Sequence, residues 1–304
     1  MKKLFFISIL SICLFSACNS AKKSQINYLD QDEPGLIPEL FAPGIVSTDM
    51  GERDICFSPD GTEVYYTRKF EKGISKRTMF VRRFQNGVWS DEEIASFSGT
   101  YDDIEAWITK DGKQLYFASK RPLEEGKENE FTFSIWYVDR IGDEWSEPKP
   151  VPGNINGTGS IAFPVRTNSG LYFTKFADDS EFIYFSKYDD GMFLEPEKLS
   201  DNINASKVQY NAFISHDDDL LIVPREVVKN GKGVARYHVS FKDENGEWGK
   251  LIDLGDQINM GKNGWSQNVS PDGKFLFFHL NDGDNPEIYW VSMKVIYNLK
   301  HDFY

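Results

Sequence analysis

Cysteine is scarce in this chain: Cys13, Cys18 and Cys56 are its only 3 among 304 residues. A scaffold held together mainly by disulfides is excluded. Histidine is nearly as rare, and His216, His238, His279 and His301 show no short ligand spacing such as His-Glu-x-x-His. Positive charge is in deficit, with 34 basic against 47 acidic side chains and a net charge of -13. The whole-chain basic field that nucleic-acid binding requires is therefore missing. Long apolar runs are also lacking. The stretch from Leu4 to Leu14, interrupted by Ser8 and Ser11, is shorter than the roughly 20 residues needed to span a bilayer. Aromatic residues, by contrast, are plentiful: 24 Phe, 14 Tyr and 7 Trp in a chain that is 40% hydrophobic. That composition excludes a disordered chain and leans toward strands, where broad flat side chains pack across a sheet.

The N-terminus has Lys2 and Lys3, the apolar stretch, then the small residues Ser16 and Ala17 before Cys18. A secretion signal fits this order. Its ending resembles a bacterial lipoprotein signal. The resemblance implies cleavage after residue 17, with Cys18 becoming the lipid-bearing first residue of an envelope protein, outer-membrane anchored and facing the periplasm or the exterior. Residues 1–17 are thus expected to be the signal, residues 18–35 a polar tether, and residues 36–304 the folded body. Cys56, within Ile55-Cys56-Phe57, reads as a small buried hydrophobe.

An internal repeat of about 50 residues organises the body. Its clearest copies centre on Ser58-Pro59-Asp60-Gly61 and Ser270-Pro271-Asp272-Gly273, with Lys110-Asp111-Gly112 between them and degenerate turns at Thr167–Gly170 and Ser215–Asp219. In each, an apolar strand enters a turn where proline presets φ, Asp accepts backbone N–H groups and Gly takes a positive φ; an aromatic strand then leaves. A third strand follows, for example Ile135-Trp136-Tyr137-Val138. Corners such as Gly87-Val88-Trp89, Asp143-Glu144-Trp145 and Gly191-Met192-Phe193 start a fourth. Four short strands per repeat predict a five-bladed all-β propeller of four-stranded antiparallel blades. The last copy lacks its own fourth strand, so the segment Pro38 to Ser47 is expected to supply it and close the ring.

The Ser-Pro-Asp-Gly turns, each before an aromatic strand, resemble the WD40-like propeller repeats of TolB-type periplasmic proteins. So do the connectors Trp145-Ser146-Glu147-Pro148 to Ile155-Asn156 and Phe193-Leu194-Glu195-Pro196 to Ile203-Asn204. The resemblance covers roughly Pro38 to Met293. It implies a scaffold that binds proteins, peptides or glycans, and some related propellers are enzymes. TolB itself is six-bladed with an additional N-terminal domain; a six-bladed ring here would need another copy of the repeat.

Equivalent strand positions nominate a site. Two residues before Cys56 stands Asp54, matched by Glu105, Ile161, Asn211 and Ser266; two after Tyr66 stands Arg68, matched by Ser119, Lys175, Arg225 and Leu280. If the first strands line the central channel, Asp54, Glu105, Asn211 and Ser266 form a polar arc at one end, with Arg68, Lys175 and Arg225 able to bind a sugar or a peptide end. The opposing reading is structural: the hairpin register would set Asp54 against Arg68 and Asn211 against Arg225 as cross-strand pairs. His279 is a further candidate, facing a pocket after the second strand of the last repeat.

Paired carboxylates also allow hydrolysis, with Asp54 or Glu105 as acid and the other as base or nucleophile. Five-bladed propellers resemble the scaffold of some glycoside hydrolases, which usually place a third acid on another blade, where this repeat has Ile161. Asp217-Asp218-Asp219 and Asn281–Asn285 read as solvated acidic turns rather than metal sites. The basic run from Lys69 to Arg83 reads as a surface loop or protein contact. The expectation is a lipid-anchored propeller that recognises an envelope protein, peptide or glycan without a cofactor, metal or nucleic acid. The alternatives are a carbohydrate-active hydrolase and a purely structural envelope protein.

Overall fold

The computed structural model describes residues 26–69, 76–124, 126–127, 132–229, 231–281 and 286–301. The signal segment and Cys18 lie outside these residues, as do residues 70–75 of the basic run, five residues of the 121–131 loop and most of the 281–285 loop. Five antiparallel sheets follow one another, four of them built from consecutive strands and the fifth completed by an N-terminal strand. They are the blades of a five-bladed propeller.

Blade 1 runs Arg53–Phe57, Glu63–Lys69 and Arg77–Gln85, and blade 2 runs Asp103–Ile108, Gln114–Ser119 and Ser134–Ile141. Blade 3 comprises Ile161–Arg166, Gly170–Ala177 and Ser180–Asp189. Blade 4 comprises Phe213–Ile214, Leu220–Lys229, Lys232–Phe241 and the outer piece Ile252–Asp253. In blades 1 to 3 the outer strand is split: Val88–Trp89 and Glu93–Ile94, Glu144–Trp145 and Lys149–Pro150, Met192–Phe193 and Glu197–Lys198. The aromatic corners start these outer strands as expected, with Trp89 opposite Phe84, Trp145 opposite Arg140 and Phe193 opposite Tyr188.

Blade 5 has three consecutive strands, Asn263–Val269, Phe275–Asn281 and Glu287–Ser292, and takes its outer strand from Glu39–Leu40. Glu39 pairs with Trp290 and Leu40 with Tyr289, so the N-terminal segment closes the ring. Packing reinforces the closure: Phe41 is fully buried, its ring 5.0 Å from Phe277 and 5.1 Å from Trp290.

The packed body begins before residue 36. Tyr28 and Leu29 are buried, and the Tyr28 ring sits 5.3 Å from both Phe57 and Phe275 while its hydroxyl donates to Asp272 at 2.8 Å. The expected tether therefore ends by Ile26, because two large apolar side chains within a polar stretch suffice to dock it between blades 5 and 1.

The turns form as their residues dictate. Asp60 accepts the Thr62 N–H at 3.0 Å and the Ser58 hydroxyl at 2.6 Å, and Gly61 has a φ of 73°. Asp272 repeats the arrangement with Ser270 and Lys274, and Gly273 repeats the φ. Facing blades pack through their aromatic sides, and indole N–H groups bridge neighbours: Trp145 donates to the Tyr65 hydroxyl at 2.8 Å, Trp107 to the Arg166 carbonyl at 2.9 Å. Two helices, Gly255–Asn259 and Lys294–His301, were not foreseen from the repeat.

Candidate functional site

The inner strand of every blade carries a register slip or interruption near its start. In blades 1, 2, 3 and 5 one extra residue is inserted between Arg53 and Cys56, Ile104 and Trp107, Ala162 and Val165, and Gly264 and Gln267. Asp54, Glu105 and Phe163, just inside these slips, have left-handed φ values of 59°, 65° and 55°; Asn211 in blade 4 has 52°. A bulge of this kind kinks the strand and re-aims its side chains, here toward the channel. It also revises the expected equivalences. The partner of Asp54 in blade 3 is Phe163, not Ile161, and in blade 5 it is Trp265, not Ser266, because strand pairing rather than sequence spacing defines the position.

One carboxylate gathers the ring. Glu105 Oε1 accepts Arg53 Nη2 of blade 1 at 3.0 Å and Asn211 Nδ2 of blade 4 at 3.2 Å. Glu105 Oε2 accepts the Phe163 N–H of blade 3 at 2.7 Å. Asn211 Nδ2 also donates to the Trp265 carbonyl of blade 5 at 2.7 Å, and Gln267 Nε2 donates to the Asn211 carbonyl. Arg53 Nε completes the set by donating to Asp54 Oδ2 at 2.7 Å. Asp54, Glu105 and Asn211 are each buried, at 5% exposure. Glu105 thus holds blades 1, 3 and 4 to its own through bonds that strand pairing does not make, while Asp54 pairs within its own blade with Arg53.

Above this hub lies an open pocket of about 380 Å³. Glu105, Arg53 and Asn211 form its base, and Phe133, Phe176, Tyr210 and Trp265 supply aromatic wall, with Arg77 and Glu181 at the sides. Below the hub, between Asp54, Glu105 and Gln267, the channel narrows to a void of about 10 Å³ before widening at the opposite face. Gly264 lets the blade 5 strand press against Tyr237, since a Cβ there would stand 2.4 Å from the Tyr237 ring. The Tyr237 hydroxyl then accepts the Trp265 N–H at 3.1 Å, which fixes the backbone that presents this partly exposed indole.

Burial dominates the electrostatics. It lifts the Glu105 carboxyl to about 7, reinforced by the Asp54 charge and opposed by Arg53. Glu181 is also raised, by burial and then by the Glu226 carboxylate. Arg77 is satisfied by a two-pronged pair with Asp102, at 2.9 and 2.7 Å; burial works against Asp102, but Arg77 holds its carboxyl below the usual range.

The remaining predicted residues are elsewhere. Thr67, not Arg68, stands nearest the Asp54 bulge in the ladder, opposite Arg53, and Arg225 stands opposite Gln209, so the anticipated cross-strand pairs do not form. Arg68 instead pairs with Glu92 and lies 4.0 Å over Phe80. Lys175 faces Tyr184, 5.4 Å from its ring centroid. Arg68, Lys175 and Arg225 are outside the pocket lining, as is His279. His279 is 1% exposed and packs edge-on to Trp265 at 6.2 Å, its protonation strongly disfavoured by burial and then by Arg53. It is a core residue, not a pocket wall. Ser266 borders the narrow void.

Asp218 of the acidic turn is not simply solvated. Its Oδ1 accepts the Thr167 and Ser169 hydroxyls at 2.9 and 3.0 Å, joining blades 3 and 4. Among the described residues no group of three His, Cys, Asp or Glu side chains is placed to hold a metal ion. Burial pushes the Cys56 thiol up to about 12, leaving it unreactive.

Sequence spacing missed Arg53, Arg77, Phe133, Phe176, Glu181, Tyr210 and Trp265. The useful signal was adjacency: Arg53, Tyr210 and Trp265 each border a nominated residue, and one bulge residue separates a channel-facing from a mouth-facing side chain.

No family model and no curated protein matches the chain. Solved structures do. A protein of Agrobacterium tumefaciens assigned to TolB superposes with a TM-score of 0.50 at 14% identity, covering 82% of this chain and 79% of that one. The GH62 α-L-arabinofuranosidase catalytic domain of Coprinopsis cinerea gives 0.49 at 12% identity, over 84% and 94%. Arabinanase Arb43A of Bacillus subtilis gives 0.48 at 12% identity, over 80% and 94%. The likeness is one of fold. It supports the propeller architecture and leaves the ligand to be argued from the site.

Proposed function

We propose that this protein is an envelope-anchored propeller that binds the end of a glycan chain at the channel mouth. The pocket carries the reading: four aromatic side chains face the same 380 Å³ space as two carboxylates and two guanidiniums. A sugar ring presents a flat C–H face and a belt of hydroxyls, and such a wall serves both, aromatic rings for the face and charged groups for the belt. The narrowing beneath the hub favours a chain end over a strand threading the channel.

Hydrolysis is the second reading, favoured by a specific observation. Glu105 titrates near neutrality, Asp54 shares its Arg53, and Glu181 brings a third carboxyl from blade 3. Binding stands first because both Glu105 oxygens already accept hydrogen bonds that join blades. A screen of the purified protein against envelope polysaccharides, scored for both retention and released sugars, separates the readings. Retention without product, lost in Trp265→Ala, is expected. Product release abolished by Glu105→Gln or Asp54→Asn would establish the enzyme, and no retention of any glycan would overturn the proposal.

The Lys2-Lys3 start, the apolar run and Cys18 support export and lipid anchoring. Cells fed a labelled fatty acid are expected to label the wild-type protein and not Cys18→Ser. Equal labelling of the two would remove the anchor.

A further inference from the structure

The charges around the mouth do not balance. Arg53 is matched by Asp54 and Glu105, and Arg77 by Asp102 with Lys120 3.5 Å from the same carboxylate. Glu181 has no such match: among the described residues its carboxylate has neither a hydrogen-bond nor an ion-pair partner. Behind it stands Glu226, also without one, whose charge adds to burial in raising the Glu181 carboxyl. Tyr210 responds to both: burial first, then Glu181 and Glu226, push its phenol up.

The surroundings are aromatic. Phe176 is the direct cross-strand partner of Glu181 and stands beside it, and Tyr210 and Trp265 line the same space. At the base, Asn211 spends its amide N–H groups on Glu105 and the Trp265 carbonyl, which leaves Asn211 Oδ1 buried without a donor. The unused capacity of this pocket is for positive charge and for hydrogen-bond donors. Aromatic faces add attraction for a cation placed over them.

Resting on the glycan-end reading, we propose that the mouth selects a chain end bearing a free primary amino group, such as a glucosamine-type unit, with Glu181 pairing its ammonium. The ammonium supplies the counter-charge that the Glu181–Glu226 pair lacks, and its three N–H groups suit a site with acceptors to spare. An N-acetylated unit of the same size loses the charge and two of those donors, so it pairs less well with the same wall.

Calorimetric titration of the purified protein near neutral pH with a glucosamine tetramer and with its N-acetylated counterpart tests this. The free amine is expected to bind about tenfold tighter, a typical gain from one partly desolvated charge pair. The gap should close in Glu181→Gln, which is expected to keep the wild-type thermal midpoint because the Glu181 carboxylate holds no bonded partner and the bonds from Gln209 reach its backbone. Trp265→Ala should weaken both ligands alike. Equal affinities in the wild type, or a gap that survives Glu181→Gln, would overturn the amine inference and leave the glycan reading standing. Binding of neither tetramer would overturn the amine inference, and the glycan reading would fall only if the polysaccharide screen also showed no retention.

Discussion

Deleting residues 36–47 opens the ring and removes most of its stability. The segment provides the outer strand of blade 5, and the Phe41 N–H donates to the Ile288 carbonyl at 2.8 Å. Phe41, Ala42 and Val46 are all essentially buried. Truncating a buried Phe typically costs about 3–5 kcal/mol, so Phe41→Ala alone should show a large fall in the urea midpoint. The deletion exceeds it, because the Glu287–Ser292 strand loses its outer neighbour and Trp290 its Phe41 contact. Against a total stability of roughly 5–15 kcal/mol, the shortened chain should be mostly unfolded or associate through the exposed edge. An unfolding curve close to wild type would contradict closure by this segment.

Glu105→Ala is the second large effect. It strands Arg53 with one carboxylate, leaves the Phe163 N–H without its acceptor and cuts the bond from blade 4. Removing one partner of a buried charged pair costs about 3–5 kcal/mol, which should appear as a lower midpoint in thermal and urea unfolding. Unchanged stability would mean that the hub does not hold the blades together.

The pH dependence supplies an independent check. The folded-state value of about 7 lies above the ordinary 4.5. A raised carboxyl means that the folded protein binds this proton more tightly than the unfolded chain. Its stabilising contribution is full below the unfolded value and is lost as pH rises through about 7. Glu105→Gln carries no such titration. Its stability relative to wild type should therefore rise between acid and mildly alkaline pH, by on the order of 3 kcal/mol at most. A difference that stays flat with pH would show that the Glu105 carboxyl is not raised.

The position of Asp54, Glu105 and Asn211 on the inner strands follows from the repeat, because period-two alternation and the Pro-Asp-Gly turns locate the strands. Their task does not. The bulges hold Glu and Phe at a positive φ, a conformation that such residues rarely adopt, and no local pattern signals it. Arg68 and Arg225 read as cross-strand partners of Asp54 and Asn211 on an unbroken ladder. One inserted residue moved that role to Arg53, adjacent to Asp54 in sequence.

What the sequence determined by itself was the number and kind of modules and the manner of their closure. Those depend on local chemistry, on turns that fix φ, on aromatic strands, and on one repeat left without its fourth strand. What only the tertiary structure decided was the pocket. Phe133, Phe176, Glu181, Tyr210 and Trp265 come from four blades and meet only when the ring curves shut. Whether a carboxylate there binds a ligand or a neighbouring blade depends on distances across the channel. Those distances are set by how the five sheets pack, and no spacing along the chain encodes them.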